Sequence, residues 1–111
     1  MSVDLHNEVK YFKFAPTSLT PLEFDVNTLS GHVEYTLSSS PPDYTTKKPP
    51  HGSIIYEGTS LKNYYNLDTN SPHFSVGKMI YLTIKGTSSN TRAVIAISHV
   101  GEYKMISDAT P

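Results

Sequence analysis

The stretch Leu22-Glu23-Phe24-Asp25-Val26-Asn27-Thr28-Leu29-Ser30-Gly31-His32-Val33-Glu34-Tyr35-Thr36-Leu37-Ser38 decides how this chain folds. Leu22, Phe24 and Val26 alternate with Glu23, Asp25 and Asn27. Beyond Ser30-Gly31, Val33, Tyr35 and Leu37 alternate with His32, Glu34 and Thr36. A period of two places each apolar set on one face of a pleated strand, whereas a helix would scatter it around the axis. The reading is two strands, 20–28 and 32–38, joined at Ser30-Gly31 as a hairpin.

Working outward, the same pattern recurs. Residues 8–14 form a strand with Phe12 and Phe14 on one face, and residues 78–85 one with Ile80, Leu82 and Ile84 inward. Ile54-Ile55-Tyr56 is a short apolar run, and residues 61–67 read as a weaker strand. Residues 91–98 are apolar at both phases of the alternation, as in a strand covered on both sides. A last short strand is expected from Tyr103 to Ile106. The segment 39–52 breaks the pattern with Pro41, Pro42, Pro49 and Pro50; proline removes ladder donors, so this is a long surface loop. β-branched and aromatic residues dominate and alanine is scarce, which favours sheet over helix. The fold class is therefore all-β, an antiparallel β-sandwich or jelly roll of about 7–8 strands. It forms a single domain, 1–111, with flexible ends at about 1–6 and 107–111.

Composition narrows the classes of function. With 111 residues the chain makes one ordinary domain with one core. It has 0 Cys, which removes disulfide frameworks, thiolate metal sites and cysteine nucleophiles. Nine Lys+Arg against ten Asp+Glu give a formal net charge of −1, which argues against nucleic-acid partners. No stretch approaches the roughly 20 apolar residues of a membrane helix, so membrane insertion is not expected. Met1-Ser2-Val3-Asp4 lacks the charge and apolar run of a signal peptide, and Ser107-Asp108-Ala109-Thr110-Pro111 reads as linker. The expectation is a module of a larger protein.

Three segments carry a family resemblance. Val9-Lys10-Tyr11-Phe12-Lys13-Phe14 resembles the opening Tyr-Tyr-x-Phe strand of the bacterial pre-peptidase C-terminal (PPC) domain and its eukaryotic relatives. Residues 22–38 resemble that family's alternating strand and turn, followed by a Pro-rich loop. Ile80-Tyr81-Leu82-Thr83-Ile84-Lys85-Gly86 with Ala93-Val94-Ile95-Ala96-Ile97-Ser98 is similar to its closing pair. The chain departs from the family where two acidic turn positions are His32 and Glu34, and where Leu-Tyr is Tyr35-Thr36. The resemblance implies a non-catalytic β-sandwich appended to secreted proteases or surface proteins, serving folding, adhesion or substrate capture. It implies an extracellular or cell-surface location; without it, the expectation is a cytoplasmic one.

His6, His32, His51, His73 and His99 form neither His-Glu-x-x-His nor a close pair, and read as solvated histidines rather than metal ligands. Gly-x-Ser-x-Gly is absent, so no enzyme is expected; a small hydrolase would require a pocket joining Ser, His and a carboxylate. Asp4, Glu8, Asp25, Glu34, Asp43 and Asp68 are dispersed singly, without the closely spaced acidic loop that calcium favours. No cofactor is expected, and Ca²⁺ is the alternative. Tyr44, Tyr56, Tyr64, Tyr65 and Tyr81 cannot all face the core, and exposed tyrosine offers a large contact with a polar tip. A partner-binding surface is expected around Tyr44, Tyr64 and Tyr65. Lys47 and Lys48, between prolines, are candidates for anionic partners, in a loop expected to be extended. The functional expectation is a structural, adhesion or partner-binding module that meets a protein or a neighbouring domain of its own chain. A calcium-dependent or carbohydrate-binding domain with a glycan partner is the alternative.

Overall fold

The alternation of residues 22–38 carries directly into burial. Leu22, Phe24, Val26, Val33, Tyr35 and Leu37 are each at most 2% exposed, while Asp25, Asn27, His32 and Glu34 face water. The computed structural model describes residues 1–99 and the backbone of Ser107–Asp108. Within them lie β1 (Ser2–Asp4), β2 (Val9–Phe14), β3 (Leu22–Ser30), β4 (Val33–Ser38), β5 (Ile54–Thr59), β6 (Tyr64–Leu67), β7 (Ile80–Gly86), β8 (Arg92–His99) and β9 (Ser107–Asp108). All pairings are antiparallel. One sheet has the order β1-β8-β3-β6 and the other β5-β4-β7-β2-β9.

These orders are those of a jelly roll. β1 pairs with β8, β2 with β7, β3 with β6 and β4 with β5, as if one long hairpin had been rolled up. Consecutive strands therefore lie in opposite sheets, with β4 and β5 as the exception at the hairpin tip. This corrects the expected hairpin between 20–28 and 32–38: β3 and β4 face each other across the core instead. Each carries an apolar face that needs a covering layer, and opposing the two faces buries both at once. The crossing is made at Gly31, whose φ of +71° suits glycine; a Cβ there would also lie 2.5 Å from Ser88 Oγ.

The inward faces interlock through a file of rings. Phe14 and Phe24 have centroids 6.2 Å apart, Phe24 and Tyr35 5.3 Å, Tyr35 and Tyr56 6.2 Å, and Tyr56 and Tyr65 4.6 Å. The file runs from β2 through β3, β4 and β5 to β6, so it ties the two sheets together. Tyr35 lies against Gly58, where any Cβ would collide with its ring, and its hydroxyl donates to the Lys62 carbonyl at 2.6 Å.

Other expectations change. Residues 91–98 are not covered on both sides: in β8, Ala93, Ile95 and Ile97 are buried while Arg92 and Ala96 are exposed. Val94 and Ala96 are apolar on the outer face, which is why the alternation looked lost. The expected loose end at 1–6 is an edge strand. Val3 and Leu5 enter the core, and Met1 exchanges backbone hydrogen bonds with Ile95. At the other end, the backbone of Ser107–Asp108 pairs with β2. The strand expected at 103–106 lies outside the described residues. In 61–67 the strand begins at Tyr64, and Leu61 sits 94% exposed in the preceding turn.

A candidate binding groove under the hairpin-tip loop

Strand register lays out the outer face of the five-stranded sheet as cross-strand rows. One row reads Tyr11, Thr83, Thr36, Glu57 across β2, β7, β4 and β5. The next reads Val9, Lys85, Glu34, Thr59. Directly opposed residues on one face stand about 4.5–5.5 Å apart at Cβ, so each row is a continuous strip of side chains.

The loop joining β4 to β5 folds back over these rows. It is not the extended arm that its prolines led us to expect. Asp43 and Lys48 form an antiparallel bridge, with the Asp43 N–H donating to the Lys48 carbonyl at 2.8 Å. The Lys47 N–H donates to the Asp43 carbonyl at 2.7 Å, and the Asp43 carboxylate accepts the Thr45 N–H at 2.8 Å. Asp43 thus closes a tight turn by bonding its own backbone neighbours, which outweighs the extended preference of the prolines. The turn puts Lys47 at φ +62°, a left-handed conformation that costs a side-chain-bearing residue energy. Pro42 is buried, and a short 3₁₀ turn, His51–Ser53, leads into β5. The Tyr44 ring meets Tyr11 edge to face, with centroids 4.8 Å apart. That contact covers Tyr11, and burial pushes its hydroxyl pKa up.

Between loop and sheet lies an open groove of about 460 Å³ lined by Asn7, Val9, Glu34, Thr36, Thr46, Lys47, Lys48, Thr83 and Lys85. Three cations meet one carboxylate there. Among the described residues the one ion pair is on the opposite sheet, where Arg92 Nε lies 2.7 Å from Asp4 Oδ1. That hydrogen bond holds the Asp4 carboxyl below its usual range and raises Arg92. Glu34 and Lys85 are direct cross-strand neighbours, yet no ion pair forms between them. At the groove floor Thr83 is 7% exposed, and its hydroxyl oxygen has no hydrogen-bond partner among the described residues.

The expected site residues are divided by this arrangement. Tyr44, Lys47 and Lys48 come together on the loop. Tyr65 points inward and stacks on Tyr56, and burial raises its hydroxyl pKa. Tyr64, its neighbour in β6, points the other way onto the outer face of the four-stranded sheet. Its hydroxyl lies 3.5 Å from Glu23 Oε1 and 3.5 Å from Asn66 Nδ2. One surface built from Tyr44, Tyr64 and Tyr65 therefore does not exist, because adjacent strand residues face opposite ways and β6 lies in the other sheet. Sequence reasoning missed Lys85, Thr83, Thr36 and Asn7. Their alternation marks the two threonines and Lys85 as outward, but only the register and the folded loop join them to Lys47.

Two further arrangements bear on chemistry. His99 is buried at 1% exposure, not solvated as expected. Its Nε2 accepts the Thr17 N–H at 2.9 Å, so Nδ1 carries the proton and donates to the Thr20 carbonyl at 3.0 Å. This histidine fastens the segment between β2 and β3. Among the described residues, no group of three His, Cys, Asp or Glu side chains is placed to hold a metal ion. No described helix is long and apolar enough to cross a membrane. Comparison with family models, curated proteins and solved structures found no match for this chain.

Proposed function

We propose that this domain is a non-catalytic binding module whose working surface is the loop-covered outer face of the five-stranded sheet. The observation that carries this reading is the groove itself. Adjacent antiparallel strands need only a short turn to link them; here the 14 residues 39–52 are folded, anchored by Tyr44 on Tyr11, and held so that Lys47, Lys48 and Lys85 line one groove. Loops carried on a rigid sheet are the usual place for recognition. A groove of about 460 Å³ falls inside the roughly 300–1,000 Å³ range of small-molecule and side-chain sites. The resemblance to PPC domains, with its adhesive or partner-capturing role at a cell surface, fits the same reading and is part of the proposal.

The test is a nitrogen–proton NMR titration against a panel of neutral sugars, dipeptides of either charge and simple anions. Shifts clustered in 39–53 and in the outward residues of β4 and β7 are expected for at least one class. Shifts confined to the other sheet, around Tyr64, Glu23 and Asn66, would overturn the assignment in favour of a glycan-type aromatic site.

A further inference from the structure

The chemistry of the groove goes further than its location. We infer that it accepts a phosphate or sulfate ester carried on a small polyhydroxylated ligand, an inference that rests on the groove being the binding surface. Lys47 and Lys48 line the groove from the loop and Lys85 from the sheet, so three cationic residues border one opening from two sides. None of the three takes part in an ion pair among the described residues. Compact ammonium groups with freely rotating donors suit a tetrahedral oxyanion, which needs no planar fork.

The floor supplies an independent observation. The Thr83 hydroxyl is buried and unpartnered among the described residues, on a residue that lines the groove beside Thr36 and Lys85. A buried hydroxyl without a partner costs stability, and a rotation about the Thr83 Cα–Cβ bond that turns the hydroxyl to a ligand oxygen in the groove would relieve that cost. Thr36, Thr46 and Asn7 add uncharged donors around the same opening. Glu34 is the discordant group for a bare anion, because it is an acceptor. It is placed to receive a hydrogen bond from a hydroxyl on the body of the ligand, which is why the ester is preferred to the free ion. Lys47 at φ +62° fits the same picture. Asn or Gly would occupy that position with less strain, and lysine there brings a cation to the rim.

The experiment uses the full 111-residue chain and four probes by NMR titration: glucose 6-phosphate, glucose 6-sulfate, inorganic phosphate and glucose. Both esters are expected to shift Thr36, Thr83 and Lys85 and the loop at 46–48, more strongly than inorganic phosphate; unequal responses between the esters identify the preferred source. Lys85→Ala and the double variant Lys47→Ala with Lys48→Ala should each weaken ester binding roughly tenfold with melting unchanged. Thr83→Val should weaken binding while leaving the fold at least as stable, a combination that a purely structural role would not produce. Equal response to glucose and to its esters overturns the anion assignment while leaving the groove as the binding surface. Equal response to inorganic phosphate and the esters overturns the hydroxyl contact with Glu34. Ester shifts away from the groove, or none at millimolar concentration, overturn the inference outright.

Discussion

The two sheets of this jelly roll share one core and present opposite outer faces of different character. The four-stranded sheet leaves Glu23, Asp25, Asn27, Tyr64 and Asn66 open to water, and its charges include the Asp4–Arg92 pair. The five-stranded sheet is roofed by the hairpin-tip loop, and among the described residues Lys47 and Lys48 of the loop and Lys85 of the sheet make no ion pair and the Thr83 hydroxyl no hydrogen bond. Both faces come from the same alternation, so alternation alone does not make a site. The difference is the connection: among the described residues one sheet owns the only link between neighbouring strands in the same sheet, and that link has the length and turn chemistry to fold back.

The comparison breaks most completely if the shared core fails. Phe24 lies in the middle of the aromatic file, 2% exposed, between Phe14 and Tyr35. Phe24→Ala is expected to cost about 3–5 kcal/mol by chemical denaturation, removing both faces together. A smaller effect comes from Tyr35. Tyr35→Phe deletes the hydrogen bond to the Lys62 carbonyl and should cost about 1–2 kcal/mol. Burial raises the folded-state pKa of this hydroxyl far above its ordinary value, so folding favours the neutral form. Its contribution is therefore complete below the ordinary tyrosine range, about pH 10, and declines as pH rises beyond it. The wild-type melting temperature should fall steeply above that range, and the slope should be shallower in Tyr35→Phe.

Tyr44→Ala sharpens the contrast between the faces. Loss of the edge-to-face contact with Tyr11 should cost about 1 kcal/mol and raise amide exchange across 39–53, leaving β3 and β8 protected. The counterpart on the open face is the smallest effect. Tyr64→Ala, at a half-exposed ring with long hydroxyl contacts, should change stability by no more than about 0.5 kcal/mol. Equal loop exchange in the two variants would erase the distinction between roofed and open face.

Much of the fold could be read from residues alone because burial follows a period of two. The apolar members of Leu22 to Val26, Val33 to Leu37 and Ile80 to Ile84 are buried on the face that the alternation marks. Partner choice could not be read that way. The hairpin inferred at Ser30-Gly31 and the double cover inferred for 91–98 both failed because alternation states which face is buried, not which strand supplies the neighbour. The candidate site was half legible. Tyr44, Lys47 and Lys48 stand out by type in a proline-rich segment, but Lys85 and Thr83 are at least 35 residues away in sequence and join them only through the β4–β7 register and an Asp43 turn. Tyr64 and Tyr65 misled because consecutive residues look like a patch in sequence and point apart in a strand.

The most direct test is whether the hairpin-tip loop is docked in solution. A through-space NMR experiment should show contacts between the Tyr44 and Tyr11 rings, whose centroids lie 4.8 Å apart, together with slowed amide exchange at Lys47. Absence of those contacts, with 39–50 at random-coil shifts and fast exchange, would contradict the roofed face and the groove built on it.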